Sequence, residues 1–366
     1  IASFLLVKGF GNKEIKKSFS AKELVRDKFK KEAFKAYQEG NINYAIQCFE
    51  NCINKGFHDP MFFSQYGLIL YKSGFRTKAI NILEQSIIIY PKDTELFINL
   101  SNIFKLIGDF NKAEKYIKKS YELSPKSSIV LSNLSSIYIE QKKFYEAKKF
   151  ALLAHESDQN KPEPLYNLGI IYSNLYLYKE ARFYFKEALK RNENSYSANL
   201  NLGAVLLKLD HLDEAKKFLK VALSLKPNSY EALFNLGQIA LYSNELKESE
   251  SYFLKSLSQC KTNYEIYQYL GIAQFINSNC NALENIEKSI ELNPKVNISH
   301  VLKSIIKLNY SSDESKKYID NNPYDNFGND PIILHRDIED KLISTLYTKN
   351  TSDLNSIESN PHSGNA

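Results

Sequence analysis

Apolar residues recur along most of the chain with a helical spacing, and residues 196–229 show the pattern in full. The first apolar stripe is Leu202, Val205, Leu206 and Leu209; the second is Leu212, Ala215, Phe218, Leu219, Ala222 and Leu223. Spacings of three and four place each stripe on one face of a helix. The stretch therefore predicts two amphipathic helices joined by a short turn.

The same pair returns every 34 residues. Steps of that length from Gly203 give Ala33, Gly67, Ser101, Ser135, Gly169, Gly203, Gly237 and Gly271, all small. Steps from Ala215 give Ala45, Ala79, Ala113, Ala147, Ala181, Ser249 and, after a one-residue deletion, Ala282. A third series runs through Cys52, Ser86, Ser120, Ala154, Ala188, Ala222, Ser256 and Ser289. Three small-residue series in one register predict a repeat architecture. Small residues at a helix crossing let two helices approach closely. Turns are marked by Gly40, Gly74, Gly108, Asp210 and Asn244, and the ends of second helices by Pro91, Pro125, Pro227 and Pro294. Asp59, Asp93, Ser127, Ser195, Ser229 and Asn263 precede first helices as N-caps, and Lys161 alone breaks that series.

A 34-residue helix–turn–helix unit, small at positions 8, 20 and 27 and often Pro at 32, resembles the tetratricopeptide repeat. The run "NLG…Y…EA…F…AL" at 167–189 is close to that family's pattern. Eight units are expected, at 26–59, 60–93, 94–127, 128–161, 162–195, 196–229, 230–263 and 264–296. Phe57, Gln159 and Glu193 depart from the usual Pro. Residues 1–25 form an N-terminal extension, 297–348 read as degenerate capping helices, and the polar stretch 349–366 reads as a disordered tail. The resemblance implies an all-α, right-handed superhelical solenoid whose stacked units share a core and present a concave inner face.

That inner face is where the resemblance places function. The sixth residue of successive units is Gln65, Asn99, Asn133, Asn167, Asn201 and Asn235. A carboxamide both donates and accepts hydrogen bonds, so a row of them suits a peptide backbone. Rungs roughly 10 Å apart would meet about every third residue of an extended chain. The row resembles the Asn ladder in the repeat domain of the O-GlcNAc transferase, and on that reading its amides face the groove rather than the core. A plainer alternative is that Asn is habitual at this position in the family and simply faces water. Tyr166, Leu200 and Phe234, at position 5, would make the groove more apolar, or else pack between units. Lys30 matches one position of the family's two-carboxylate clamp, but Phe34 stands where Asn is needed, so that clamp is set aside.

Composition adds limits. A 25% charged and 43% hydrophobic chain is ordinary for a folded protein, and a net charge of +6 is too small to imply nucleic acid. The lysines at 115, 118, 119, 148, 149, 216, 217 and 220 fall on second helices, whose outer face is solvated. Cys48, Cys52, Cys260 and Cys280 match no zinc spacing and read as reduced packing residues. No apolar run is long enough for a membrane span or signal core, so a cytoplasmic chain is expected. Two motifs are coincidental. The His335-Arg336-Asp337 run has Leu342 where a kinase loop needs Asn, and His335, Asp337 and His362 have no strand-rich frame for an iron triad.

These residues point to a non-enzymatic interaction scaffold that binds an extended peptide or partner segment and needs no cofactor. A second expectation is the substrate-recruiting arm of a larger enzyme, a glycosyltransferase, sulfotransferase or 2-oxoglutarate/iron oxygenase, for which the non-Met start leaves room. Homo-oligomerisation through exposed end units is a third.

Overall fold

The computed structural model describes residues 28, 30–54 and 59–310. These form helices and turns with no strand among them. A helical segment, α1, covers 30–38. It is followed by α2 (Ile42–Asn54), α3 (Pro60–Lys72), α4 (Arg76–Ile89), α5 (Thr94–Leu106), α6 (Phe110–Leu123), α7 (Ser128–Glu140) and α8 (Phe144–Ser157). Next come α9 (Pro162–Asn174), α10 (Tyr178–Arg191), α11 (Tyr196–Lys208), α12 (Leu212–Leu225), α13 (Tyr230–Tyr242) and α14 (Leu246–Gln259). The last are α15 (Tyr264–Ile276), α16 (Ala282–Leu292) and α17 (Asn297–Tyr310). The extension at 1–25, the part of the expected capping helices beyond residue 310, the tail at 349–366 and the His335–Asp337 and His362 motifs lie outside the described residues.

The chain divides into two compact units, one ending at Asn167 and the other beginning at Leu168. In the first unit α3 packs on α4, α5 on α6 and α7 on α8, and the first helices α3, α5 and α7 also touch in sequence. In the second unit α11 packs on α12, α13 on α14 and α15 on α16, with α11, α13, α15 and α17 in contact in the same way. Each unit is thus an α-solenoid segment of stacked helix pairs.

The small residues sit where the helices cross. Ala45, Ala79, Ala113, Ala147, Ala181, Ala215, Ser249 and Ala282 are all fully buried, as are Ser120, Ala154, Ala222, Ser256 and Ser289. A Cβ on Gly203 would lie 2.5 Å from Leu219 Cγ, and one on Gly237 2.6 Å from Phe253 Cε1. At several of the places where Ser replaces Gly or Ala its hydroxyl bonds across the crossing, whereas Ser86 bonds the Ile82 carbonyl of its own helix and the buried Ser135 hydroxyl makes no bond. Ser101 Oγ donates to the Ala113 carbonyl at 2.7 Å, Ser249 Oγ to Gly237 at 2.9 Å and Ser256 Oγ to Tyr230 at 2.8 Å. The polar atom is then buried at little cost.

Each turn is held by one backbone pattern. The residue after the turn donates its N–H to a carbonyl five positions back, as Asp109 does to Phe104 (2.9 Å), Lys143 to Tyr138 (2.8 Å) and His211 to Leu206 (2.9 Å). That bond requires a left-handed residue just before it. Gly40, Gly74 and Gly108 supply it, and so do Asp210 and Asn244. Lys142, Tyr176 and Ser278 adopt it too, at φ of 58°, 59° and 57°, where no Gly marks the turn. A non-Gly residue there costs roughly 1–2 kcal/mol, which the packed helix pair must offset.

Five of the six expected N-caps work: Asp59, Asp93, Ser195, Ser229 and Asn263 each accept a backbone N–H of the helix that follows. Ser127 makes no side-chain cap bond. Its neighbour Ser128 instead donates to the Ala154 carbonyl at 2.8 Å.

Some of the lysines of the second helices pair with carboxylates. Lys119 meets Glu122 at 2.7 Å, and Lys216 meets Glu245 at 3.1 Å and Glu248 at 3.8 Å. Glu114 is the most heavily bonded acid of the first unit. It accepts from Lys118 (2.7 Å), Gln141 (2.8 Å) and Lys143 (3.5 Å), so it ties α6 to the α7–α8 turn. Burial alone would raise its pKa, but the bonds from Lys118 and Gln141 and the charges of Lys118 and Lys143 outweigh burial and hold it at about 2. A depressed carboxylate stabilises the fold above its unfolded pKa, near 4.5, and loses that contribution as pH falls toward about 2. Glu114→Gln should therefore cost about 1–2 kcal/mol at neutral pH. The gap to the parent should close between pH 4.5 and 2 in urea melts. A gap independent of pH would show that the charge on Glu114 contributes nothing.

Candidate functional site

The carboxamide series is not uniform. In the first unit Asn99 and Asn167 are buried, 8% and 7% exposed, while Gln65 and Asn133 are half-buried. The Asn99 amide donates to Ser64 Oγ, which in turn donates to Glu95 at 3.1 Å. The Asn167 amide donates to the Ser132 carbonyl at 2.9 Å. Both reach back 35 residues, to position 5 of the preceding repeat. Asn133 instead bonds the Ile129 carbonyl of its own helix at 2.9 Å. The residue at the equivalent place in the preceding repeat is Ile98, which offers no side-chain acceptor. Asn99 and Asn167 therefore face the packing between first helices, not an open groove, which corrects the expectation that every amide faces outward.

Beside Asn133 the first unit carries a cleft of about 410 Å³. It lies between α5, α7 and the start of α9, and its walls include Lys105, Ile129, Ser136, Lys161, Tyr166 and Asn167. The cleft brings Asn133, Tyr166 and Asn167 together. Ile129 is 55% exposed on its rim, so the wall is apolar on one side. Lys105 was not foreseen. Its Nζ donates to Ser136 Oγ at 2.9 Å, and no carboxylate of the described residues forms an ion pair with it. Burial lowers its pKa, with Glu140 pulling the other way. The signal was present in the register: Lys105 is the twelfth residue of its span, where the other spans have Tyr37, Tyr71, Ile139, Ser173, Leu207, Leu241 and Phe275. Lys161, the break in the N-cap series, lines the same cleft.

In the second unit Asn201 donates to the Ser197 carbonyl of its own helix at 2.9 Å, and Asn201, Asn235 and Leu200 are all half-buried. Phe234 stands 5.8 Å from the Phe253 ring and 5.4 Å from Tyr269, so much of its surface is spent on packing between α13, α14 and α15. Asn199 is a buried amide that the pattern did not single out. It is 2% exposed and donates to the Glu193 and Ser195 carbonyls, each at 2.9 Å.

The remaining chemistry is sparse. Phe34 packs edge-on against Phe49 at 5.2 Å. Cys48 and Cys52 are buried free thiols, as packing residues should be, whereas Cys280 is exposed in the turn before α16 and packing does not account for it. Among the described residues no group of three His, Cys, Asp or Glu is placed to hold a metal, and no helix is long and apolar enough to cross a membrane.

Two family models described as tetratricopeptide repeat match the chain, one over residues 177–236 and the other over 94–127 and 230–263. No curated protein matches it. Among solved structures, the chain is similar to one described as the APC/C hetero-tetramer Cut9–Hcn1, with a TM-score of 0.63 and 13% identity over 75% of this chain and 54% of that one. It is also similar to PilF of Pseudomonas aeruginosa, with a TM-score of 0.51 and 21% identity over 57% of this chain and 96% of that one. A third is a tetratricopeptide repeat protein from Parabacteroides merdae, with a TM-score of 0.50 and 17% identity over 68% and 98%. At these identities the likeness is one of fold.

Proposed function

The chain is a tetratricopeptide-repeat protein, and from that premise we propose that it is a non-enzymatic scaffold that holds an extended peptide segment of a protein partner along its first helices. The observation that carries the reading is the cleft beside Asn133, which combines amide, hydroxyl and ammonium donors with an apolar rim. Extended peptides need that combination, since their backbone carbonyls seek donors while alternate side chains seek apolar surface. Asn133 in the first unit, and Asn201 and Asn235 in the second, are half-buried rather than enclosed in the packing. Asn99 and Asn167 are committed internally and support the groove wall instead.

The test is an array of unstructured, amidated dodecapeptides of randomised sequence, each about 40 Å long when extended. The chain should bind a broad share of them with little dependence on side-chain sequence. Replacing Asn133, Asn201 and Asn235 together with Ala should weaken binding at least tenfold, since each net hydrogen bond contributes about 0.5–1.5 kcal/mol. Binding by the triple variant as tight as that of the parent would remove the carboxamides from the reading.

A further inference from the structure

The cleft of the first unit contains a cation, Lys105, that makes no ion pair with a carboxylate of the described residues, although the charge of Glu140 acts on it. Lys105 is half-buried, its ammonium has three donors, and one of them goes to the neutral hydroxyl of Ser136. Taking an ammonium partly out of water is unfavourable unless an opposite charge or several acceptors compensate it. Elsewhere in the same unit even exposed lysines have a carboxylate beside them, Lys118 meeting Glu114 at 2.7 Å and Lys119 meeting Glu122 at 2.7 Å. The charged groups that line the cleft are Lys105, Lys161 and Glu163, so the lining carries a net positive charge. Glu163 and Lys161 are both exposed at its edge, where water screens them, which leaves Lys105 as the inner charge. Around it stand neutral side chains that can donate, Ser132, Ser136 and Asn133. One shielded cation ringed by neutral donors matches a monoanion with two acceptor oxygens.

We propose that this cleft binds a carboxylate of the partner peptide, from an Asp or Glu side chain or from a chain terminus, through Lys105, with an apolar neighbour of that residue resting on Ile129. The proposal rests on the groove reading and adds the chemistry of one subsite to it. The carboxylate lies between the Lys105 ammonium and the Asn133 amide, and it fixes the register of a peptide that the carboxamides alone would hold without regard to sequence. Burial depresses the Lys105 pKa in the empty cleft, and an arriving anion reverses that tendency, so binding and protonation of Lys105 reinforce each other. Lys105 is the twelfth residue of its span, a different place on its helix from Lys30, the fifth of its own.

The experiment uses the full chain and matched dodecapeptides that differ only in Glu against Gln at one central position flanked by Leu, all amidated, with a third set carrying Gln and a free C-terminal carboxylate. Fluorescence anisotropy should show the Glu peptides binding at least tenfold tighter than their Gln partners, and Lys105→Met should bring that ratio close to one. Lys105→Arg, which keeps the charge, should retain most of the preference, and thermal melts of both variants establish that they are folded. A preference for the free-acid set over the Glu set assigns the subsite to a chain terminus; the reverse assigns it to a side chain. Equal binding of all three sets by the parent, or a preference that survives Lys105→Met, overturns the carboxylate subsite. If those peptides still bind and the triple Asn variant releases them, the groove reading stands without it. Absence of binding to every set overturns both.

Discussion

Ala215→Leu is expected to lower the unfolding free energy by about 3 kcal/mol, the upper end of the usual penalty for overpacking. Ala215 is fully buried on α12, at the register position that faces Gly203 on α11. The space there is already spent, since even a Cβ on Gly203 would lie 2.5 Å from Leu219 Cγ. Leu adds three carbon atoms to that crossing, and neither helix can withdraw without opening its contact with α13. Ala215→Ser should behave differently and stay within about 1 kcal/mol of the parent. Its hydroxyl can donate to the Gly203 carbonyl, as Ser249 donates to Gly237 at 2.9 Å in the equivalent place. Urea melts of the two variants measure the contrast. In hydrogen exchange the loss of protection should concentrate in α10–α14, because each pair in a solenoid contacts only its neighbours. A Ser variant as unstable as the Leu variant would mean that the crossing fails for a reason other than volume.

The three small-residue series made the helix pairs legible, because a close crossing restricts size so tightly that Gly, Ala, Ser and Cys are what remain. The turns were legible only in part. Gly40, Gly74 and Gly108 announce the left-handed residue, but Lys142, Tyr176 and Ser278 are forced into it by the backbone bond that closes each pair, whatever their side chains prefer. Ser127 illustrates the opposite failure, a good cap residue at the right place that makes no cap bond. In the candidate site the identity of the carboxamides was legible and their burial was not. Whether an amide turns inward depends on a residue 35 positions earlier, a pairing that no single repeat contains. Lys105 escaped notice because position 12 carries no family signal, and only a comparison across all the spans sets it apart.

That pairing leads to a second large effect, on folding instead of binding. Asn99→Ala should destabilise the chain by about 1–3 kcal/mol, because it removes the donor to Ser64 and leaves buried polar atoms short of a partner. Asn167→Ala should cost a similar amount through the Ser132 carbonyl, which the amide meets at 2.9 Å. Asn133→Ala and Asn235→Ala should fall within about 0.5 kcal/mol of the parent, as half-buried substitutions away from such bonds usually do. One row of asparagines would thus divide by what stands at position 5 of the preceding repeat. Ser64 and Ser132 are small, and they let the amide through to an acceptor. Ile98 and Leu200 precede Asn133 and Asn235 in the same register and offer an apolar side chain in place of a hydroxyl. Chemical denaturation of the four single variants decides the matter. Four equal losses would make the row a uniform structural ladder, and four negligible ones would mean that the bonds of Asn99 and Asn167 are replaced by water at no cost. The expected split, two large and two small, is what a repeat does when one residue type joins neighbours in some units and not in others.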